Sequence, residues 1–174
     1  MATGFTVNAH RVDPYKNFKF RIKNAAGTTV LGVHKTTALK RTTEVVRHRN
    51  GNDNSRDSPS PGRTTYEGVT LERGITHDAE FERWANMVHP YAGDPVMDLV
   101  NYKQELTLEV MNEKGHVALR YFLHKCWVSE FTAVPDLDAN ANAIAIESVK
   151  IELEGWERDL GTVEPTEASD VPAG

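Results

Sequence analysis

The chain has 174 residues, 39% of them hydrophobic and 26% charged, with a formal net charge of −5. That length suits one core plus a tail, and the composition excludes global disorder and a membrane class. No stretch approaches the ~18 apolar residues of a spanning helix, and the start, MATGFTVNAHRVDPY, has no basic segment followed by an apolar run. Direct membrane insertion is therefore not expected.

In chain order, strict apolar/polar alternation first appears in Phe18-Lys19-Phe20-Arg21-Ile22-Lys23, the mark of a strand with one buried face. Asn24-Ala25-Ala26-Gly27 then has the length and the glycine of a hairpin loop leading to Val30. The stretch Asn50–Gly62 has no apolar residue and is dense in turn formers, so it predicts a long, extended excursion, functional or disordered. Val69 and Leu71 form another short alternating run. Phe81, Trp84, Ala85 and Val88 repeat at helical spacing, with Thr76 as N-cap, Asp78 and Glu80 in the first turn, and Pro90 as the stop. Phe81, Trp84 and Val88 are the expected buried face of a helix docked on a sheet.

Leu106, Leu108 and Val110 alternate, as do Val117, Leu119, Tyr121 and Leu123, with the hairpin loop Asn112-Glu113-Lys114-Gly115 between them. Val149, Ile151 and Leu153 give a last strand. Together these elements predict a mainly β (α+β) fold: an antiparallel β-barrel or sandwich of two packed sheets with one flanking helix and a long loop. Residues 1–160 are the expected single domain, and residues 161–174 a disordered acidic tail.

No residue set makes a convincing catalytic site. His77, Asp78, Glu80 and Glu82 lie where a helix takes acidic first-turn residues, and no serine or cysteine motif accompanies them. The only cysteine, Cys126, sits beside Trp127 and Val128 as a structural thiol, and His124 two residues away lacks further metal ligands. Asp136, Asp138, Asn140 and Asn142, with Glu147, imitate calcium-loop spacing, but Ala141 stands where the sharp turn needs glycine. Neither a metal nor a cofactor is expected.

Charge is unevenly distributed. Between Lys35 and Arg63, seven basic residues face three acidic ones, giving +4, whereas Glu147 to Gly174 carries −6. The basic segment has three readings: solvated surface, nucleic-acid groove, or partner-binding arm. It contains no aromatic residue on which bases could stack, which weakens the nucleic-acid reading. An arm on a chain with its own acidic region fits head-to-tail assembly. The expected contacts are Arg41, Glu44, Arg47, His48, Arg49 and Arg63 against Glu152, Glu154, Glu157 and Asp159, with Glu147 a further acidic candidate.

The blocks YKNFKFRIK (from Tyr15), ALKRTTEVVRHRNG (from Ala38), SPGRTTYEGVTLERGITHDAEFERWAN (from Ser60), CWVSEF (from Cys126) and PDLDANANAIAIESVKIELEGWERD (from Pro135) resemble the tail-tube proteins of contractile phage tails and phage-derived injection particles. The segment Pro90 to Tyr102, the Asn50 to Ser60 tip and the tail depart from that pattern, leaving phage virion and cellular particle both open. The resemblance implies a non-enzymatic β-barrel subunit related to the ring protein of type VI secretion. It further implies hexameric rings stacked into a tube, assembled in the cytoplasm as part of a phage tail or a cytoplasmic or extracellular contractile particle. The implied partners are copies of itself, a contractile sheath protein, baseplate hub or spike and tube-terminating proteins, and cargo protein or DNA in the lumen. A tube-initiator or terminal ring is the implied alternative.

Overall fold

The computed structural model describes residues 19–30, 32–48, 58–93, 98, 100–112, 114–137 and 144–163. Its strands are β1 (Phe20–Lys23), β2 (Val33–Thr36), β3 (Arg41–His48), β4 (Ser58–Tyr66), β5 (Val69–Gly74), β6 (Gln104–Met111), β7 (Val117–Thr132), β8 (Ile146–Glu152) and β9 (Gly155–Arg158), with helix α1 at Glu80–Val88. All the strand pairings are antiparallel. The order is β1-β6-β7-β8-β5-β2, with β9 also on β7, so the path is an open sandwich rather than a closed barrel among the described residues.

The long strand β7 makes the sandwich possible. Its first part, to Cys126, pairs with β6, and its last part, Trp127 onward, pairs with β8. Near the end of the first part, where the pairing with β6 shifts register, Lys125 takes φ 53°, an unfavourable backbone for a residue with a Cβ. Glu105 offsets that strain: one carboxylate oxygen accepts the Lys125 N–H at 3.0 Å and the other meets His124 Nδ1 at 2.8 Å. The two halves enclose one core, in which Ile22, Leu106 and Leu123 meet Val69, Leu71, Val149 and Ile151.

The alternating runs at β1, β5, β6, β7 and β8 are strands as expected. Both hairpin loops close as turns on glycines with positive φ, Gly27 at 77° and Gly115 at 86°. Asn112 completes the second turn, its side-chain oxygen accepting the His116 N–H at 2.9 Å. The helix ends at His89, before Pro90. Its start differs from expectation: Ala79 holds the N-cap position, and Thr76 instead accepts the Asp78 N–H at 3.2 Å. Asp78 supplies the acceptor for the Glu80 N–H, at 3.0 Å. Phe81 and Trp84 are buried, each contributing ~1.5–3 kcal/mol. Val88 is only half-buried, because Met87 and Ala85 take the remaining positions against the core.

The expected long loop is the largest departure. Ser58–Tyr66 is a strand, and it pairs with Arg41–His48 as a ribbon separate from the main sheet. Residues 49–57, the calcium-like positions 138–143 and the tail beyond Val163 lie outside the described residues. The start of the expected tail is ordered by Asp159, whose carboxylate accepts the Gly161 N–H at 2.9 Å and the Thr162 hydroxyl at 2.7 Å.

Candidate assembly surface

The β3–β4 ribbon stands on an aromatic base. Tyr66 meets Trp156 edge-on with ring centres 6.2 Å apart, Tyr121 meets it at 6.0 Å, and the Arg41 guanidinium lies 5.8 Å from the Trp156 ring centre. Beyond that base every residue of β3 is exposed. The sequence explains why: RTTEVVRH has no apolar alternation that would dock one face on a core. Thr43 and Thr64 share a hydroxyl hydrogen bond of 2.9 Å across the ribbon. At Gly62 the strands approach so closely that a Cβ would stand 2.9 Å from Val46 Cγ2 and 3.2 Å from the Glu44 carbonyl.

Of the expected basic residues, Arg41, Arg47, His48 and Arg63 are exposed on this ribbon, as is Glu44. Arg47, His48 and Arg63 have no ion-pair partner among the described residues, whereas Arg49 lies outside them. The ribbon therefore gathers cations that nothing described neutralises.

The acidic set is placed differently. Glu147 is not surface at all: it is buried, 2.5 Å from Arg73 Nε. Arg73, itself 1% exposed, also reaches the Asp78 carboxylate at 3.0 Å and carbonyl at 2.6 Å, and lies over the Phe81 ring at 4.1 Å. Glu154 pairs with Lys103 at 2.5 Å and Lys125 at 3.2 Å, so its pKa is lowered chiefly by the Lys103 hydrogen bond. Asp159 pairs with Arg120 at 3.3 Å, and its lowered pKa comes first from the Thr162 hydroxyl. Glu152 is 3.6 Å from Lys150 and lies against Gly68. Glu157 touches His124 Nε2 at 3.3 Å and stays 67% exposed, the freest of the four.

A second ionic centre, missed by residue-type reasoning, lies across three strands. Arg21, Glu109 and Arg120 stand directly opposite one another on β1, β6 and β7. Glu109 is 1% exposed beneath Arg21, Lys23 at 3.2 Å and Arg120 at 3.0 Å. Desolvation pushes its pKa up, but hydrogen bonds from Arg21 and Lys23 outweigh that, and the pKa lies below its ordinary 4.5. A depressed carboxylate contributes stability that is present above the ordinary value and is lost as pH falls through the folded one. Denaturation should therefore show stability falling below about pH 4.5, with a shallower fall in Glu109→Gln.

Neither catalytic candidate forms a reactive arrangement among the described residues. Asp78 is committed to Arg73 and the helix start, and His77 is exposed. Burial pushes the Cys126 thiol up to about 12, the opposite of what a nucleophile needs.

The fold has close relatives among solved structures. A chain of the anti-feeding prophage baseplate matches with TM-score 0.69 at 18% identity, covering 85% of this chain and 97% of its own. A chain of the sheath-tube complex of PVC, an extracellular contractile injection system, in the extended state matches with TM-score 0.69 at 17% identity, covering 84% and 91%. A chain in the structure of the anti-feeding prophage cap, a tube-terminating cap, matches with TM-score 0.69 at 17% identity, covering 88% and 98%. At these identities the likeness establishes the fold. No curated protein matches the sequence. The model of the T4-like virus tail tube protein gp19 matches residues 16–157, and the chain belongs to that family.

Proposed function

We propose that this chain is the structural subunit of the inner tube of a contractile injection machine, a phage tail or phage-tail-like particle. The observation that carries this reading is the tail-tube family match across residues 16–157, on a sandwich whose outer strand β2 keeps an unpaired edge among the described residues. Unpaired edges favour association, and closing them around a ring removes the hazard. Copies would form hexameric rings that stack around a lumen for cargo protein or DNA, with a sheath outside and baseplate and terminating proteins at the ends. The subunit would do no covalent chemistry and need no metal or cofactor. Assembly in the cytoplasm, before the particle acts or is released, goes with this role.

The basic ribbon would contact an acidic surface on a neighbouring copy. A heterologous contact of this kind closes into a ring or propagates as a filament. Glu157, 67% exposed though 3.3 Å from His124, is the acidic residue best placed to accept it, since Glu152, Glu154 and Asp159 are less exposed and pair with Lys or Arg of their own chain and Glu147 is buried. Each exposed pair is weak, so charge sets orientation and register, while apolar and backbone contacts provide most of the affinity. Reversing charge in Arg47→Glu with Arg63→Glu should shorten tubes at low salt while leaving the melting temperature unchanged. Tubes of ordinary length at low and high salt would assign the patch to solvent, sheath or lumen.

A tube-initiator or terminal ring is the second reading, favoured by the equal likeness to a chain in the structure of a tube-terminating cap. Such a subunit would form one ring and stop, which sedimentation separates from a length distribution of filaments.

A further inference from the structure

We propose that the ribbon joins a second copy of the chain by strand addition, through the outer edge of β3 and onto the outer edge of that copy's β9. This rests on the self-assembly reading above. The two edges of the ribbon are chemically unequal. Opposite residues in an antiparallel pair either exchange both N–H···O bonds or point those groups outward. Pro59 lies opposite Arg47 and Pro61 opposite Val45, and proline has no N–H to exchange. Both pairs are therefore of the outward kind. On β4 the outer edge loses two donors at Pro59 and Pro61, which closes it to a further strand. On β3 the outer edge keeps the N–H and C=O of both Val45 and Arg47.

No described strand pairs with that open edge, and all eight residues of β3 are exposed. A lone two-stranded ribbon is marginal in water, and here Val45 is 62% and Val46 40% exposed without a partner. Its own β9 is out of reach. Arg41 touches Trp156 at the ribbon base, and Arg47 is six residues further along, about 20 Å at ~3.3 Å per residue. The acceptor must be on another copy.

Charge selects among that copy's free edges. β1 carries Arg21 and Lys23 and has part of its outer edge taken by Thr29 and Val30, and β2 carries Lys35, the same sign as Arg41, Arg47 and Arg63. β9 carries Glu157 beside Arg158 and is flanked by Glu154 and Asp159, so the stretch from Glu154 to Asp159 is net acidic, although Glu154 and Asp159 also pair within their own chain. Like charges across a strand pair destabilise it and unlike charges support it.

The test copies the chemistry of β4 onto β3. Arg47→Pro removes only an outward donor, so the ribbon's own ladder should survive, whereas Arg47→Ala removes the charge and keeps the N–H. Assembly should fall at least tenfold in sedimenting fraction for Arg47→Pro and far less for Arg47→Ala. Independently of that variant's folding, Arg47→Cys paired with Glu157→Cys should give an intermolecular disulfide under assembling conditions, with buried Cys126 silent. Wild-type tubes together with unimpaired Arg47→Pro assembly would overturn strand addition. If Arg47→Cys crosslinks instead to cysteines placed on β1 or β2, the choice of β9 as acceptor is overturned. A wild-type chain that stays monomeric with its sheath and baseplate partners would overturn both this inference and the tube reading beneath it.

Discussion

Trp84→Ala is expected to destabilise the chain by ~3–5 kcal/mol, the range for truncating a large buried aromatic. Trp84 is 7% exposed in the core beside Phe81, and its Nε1 donates to the Tyr102 carbonyl at 3.1 Å. Truncation thus removes apolar contacts and leaves a carbonyl without its donor. A groove of about 260 Å³, partly open to solvent, already runs beside the helix, lined in part by Trp84, Phe81, Leu71 and Leu106, so the deleted ring widens it. Trp84→Phe should cost far less. Urea denaturation of both variants checks this, and a wild-type midpoint for Trp84→Ala would show that the helix is not core.

Arg73→Met is expected to have a similar effect for a different reason. The guanidinium is buried and is shared by Glu147, Asp78 and the Phe81 ring, so it ties β5 to β8 and to the start of α1. Removing one member of a buried pair leaves the other charge uncompensated, which costs ~3–5 kcal/mol. The pair itself is not thereby a net stabiliser: two buried charges also carry a desolvation cost that an apolar pair avoids. Arg73→Met with Glu147→Leu should therefore recover much of the loss. Chemical denaturation of the single and double variants measures it. Equal stability of the two would show that Glu147 is not the partner that matters.

These residues show how far the sequence could be read. The β6–β7 hairpin was legible because Leu106, Leu108 and Val110 alternate into a loop with the Asn112 and Gly115 that its turn requires. The helix was legible from the spacing of Phe81, Trp84 and Ala85, though the half-buried Val88 marks where periodicity overextends. β5 was only partly legible. Its core face continues past Val69 and Leu71 into Arg73, which apolar periodicity cannot register and which makes sense only once the pairing sets Glu147 opposite.

The ribbon was illegible for a related reason. Strand recognition depends on one buried face, and β3 buries neither, while Pro59 and Pro61 ordinarily argue against a strand. Both are tolerated because β4 has a free edge. Charge runs located the basic surface but not which carboxylates stay exposed. Which carboxylates remain available depends on long-range contacts with Arg73, Lys103, Arg120 and His124, and no local pattern encodes those.

The ribbon's exposed backbone, unneutralised cations and unburied valines acquire a common purpose if copies of the chain stack. Electron microscopy of the purified chain, alone and mixed with the proposed sheath and baseplate proteins, tests this most directly. Hexameric rings in end view and stacked tubes in side view are expected. A strictly monomeric particle at high concentration under both conditions would contradict a tube role.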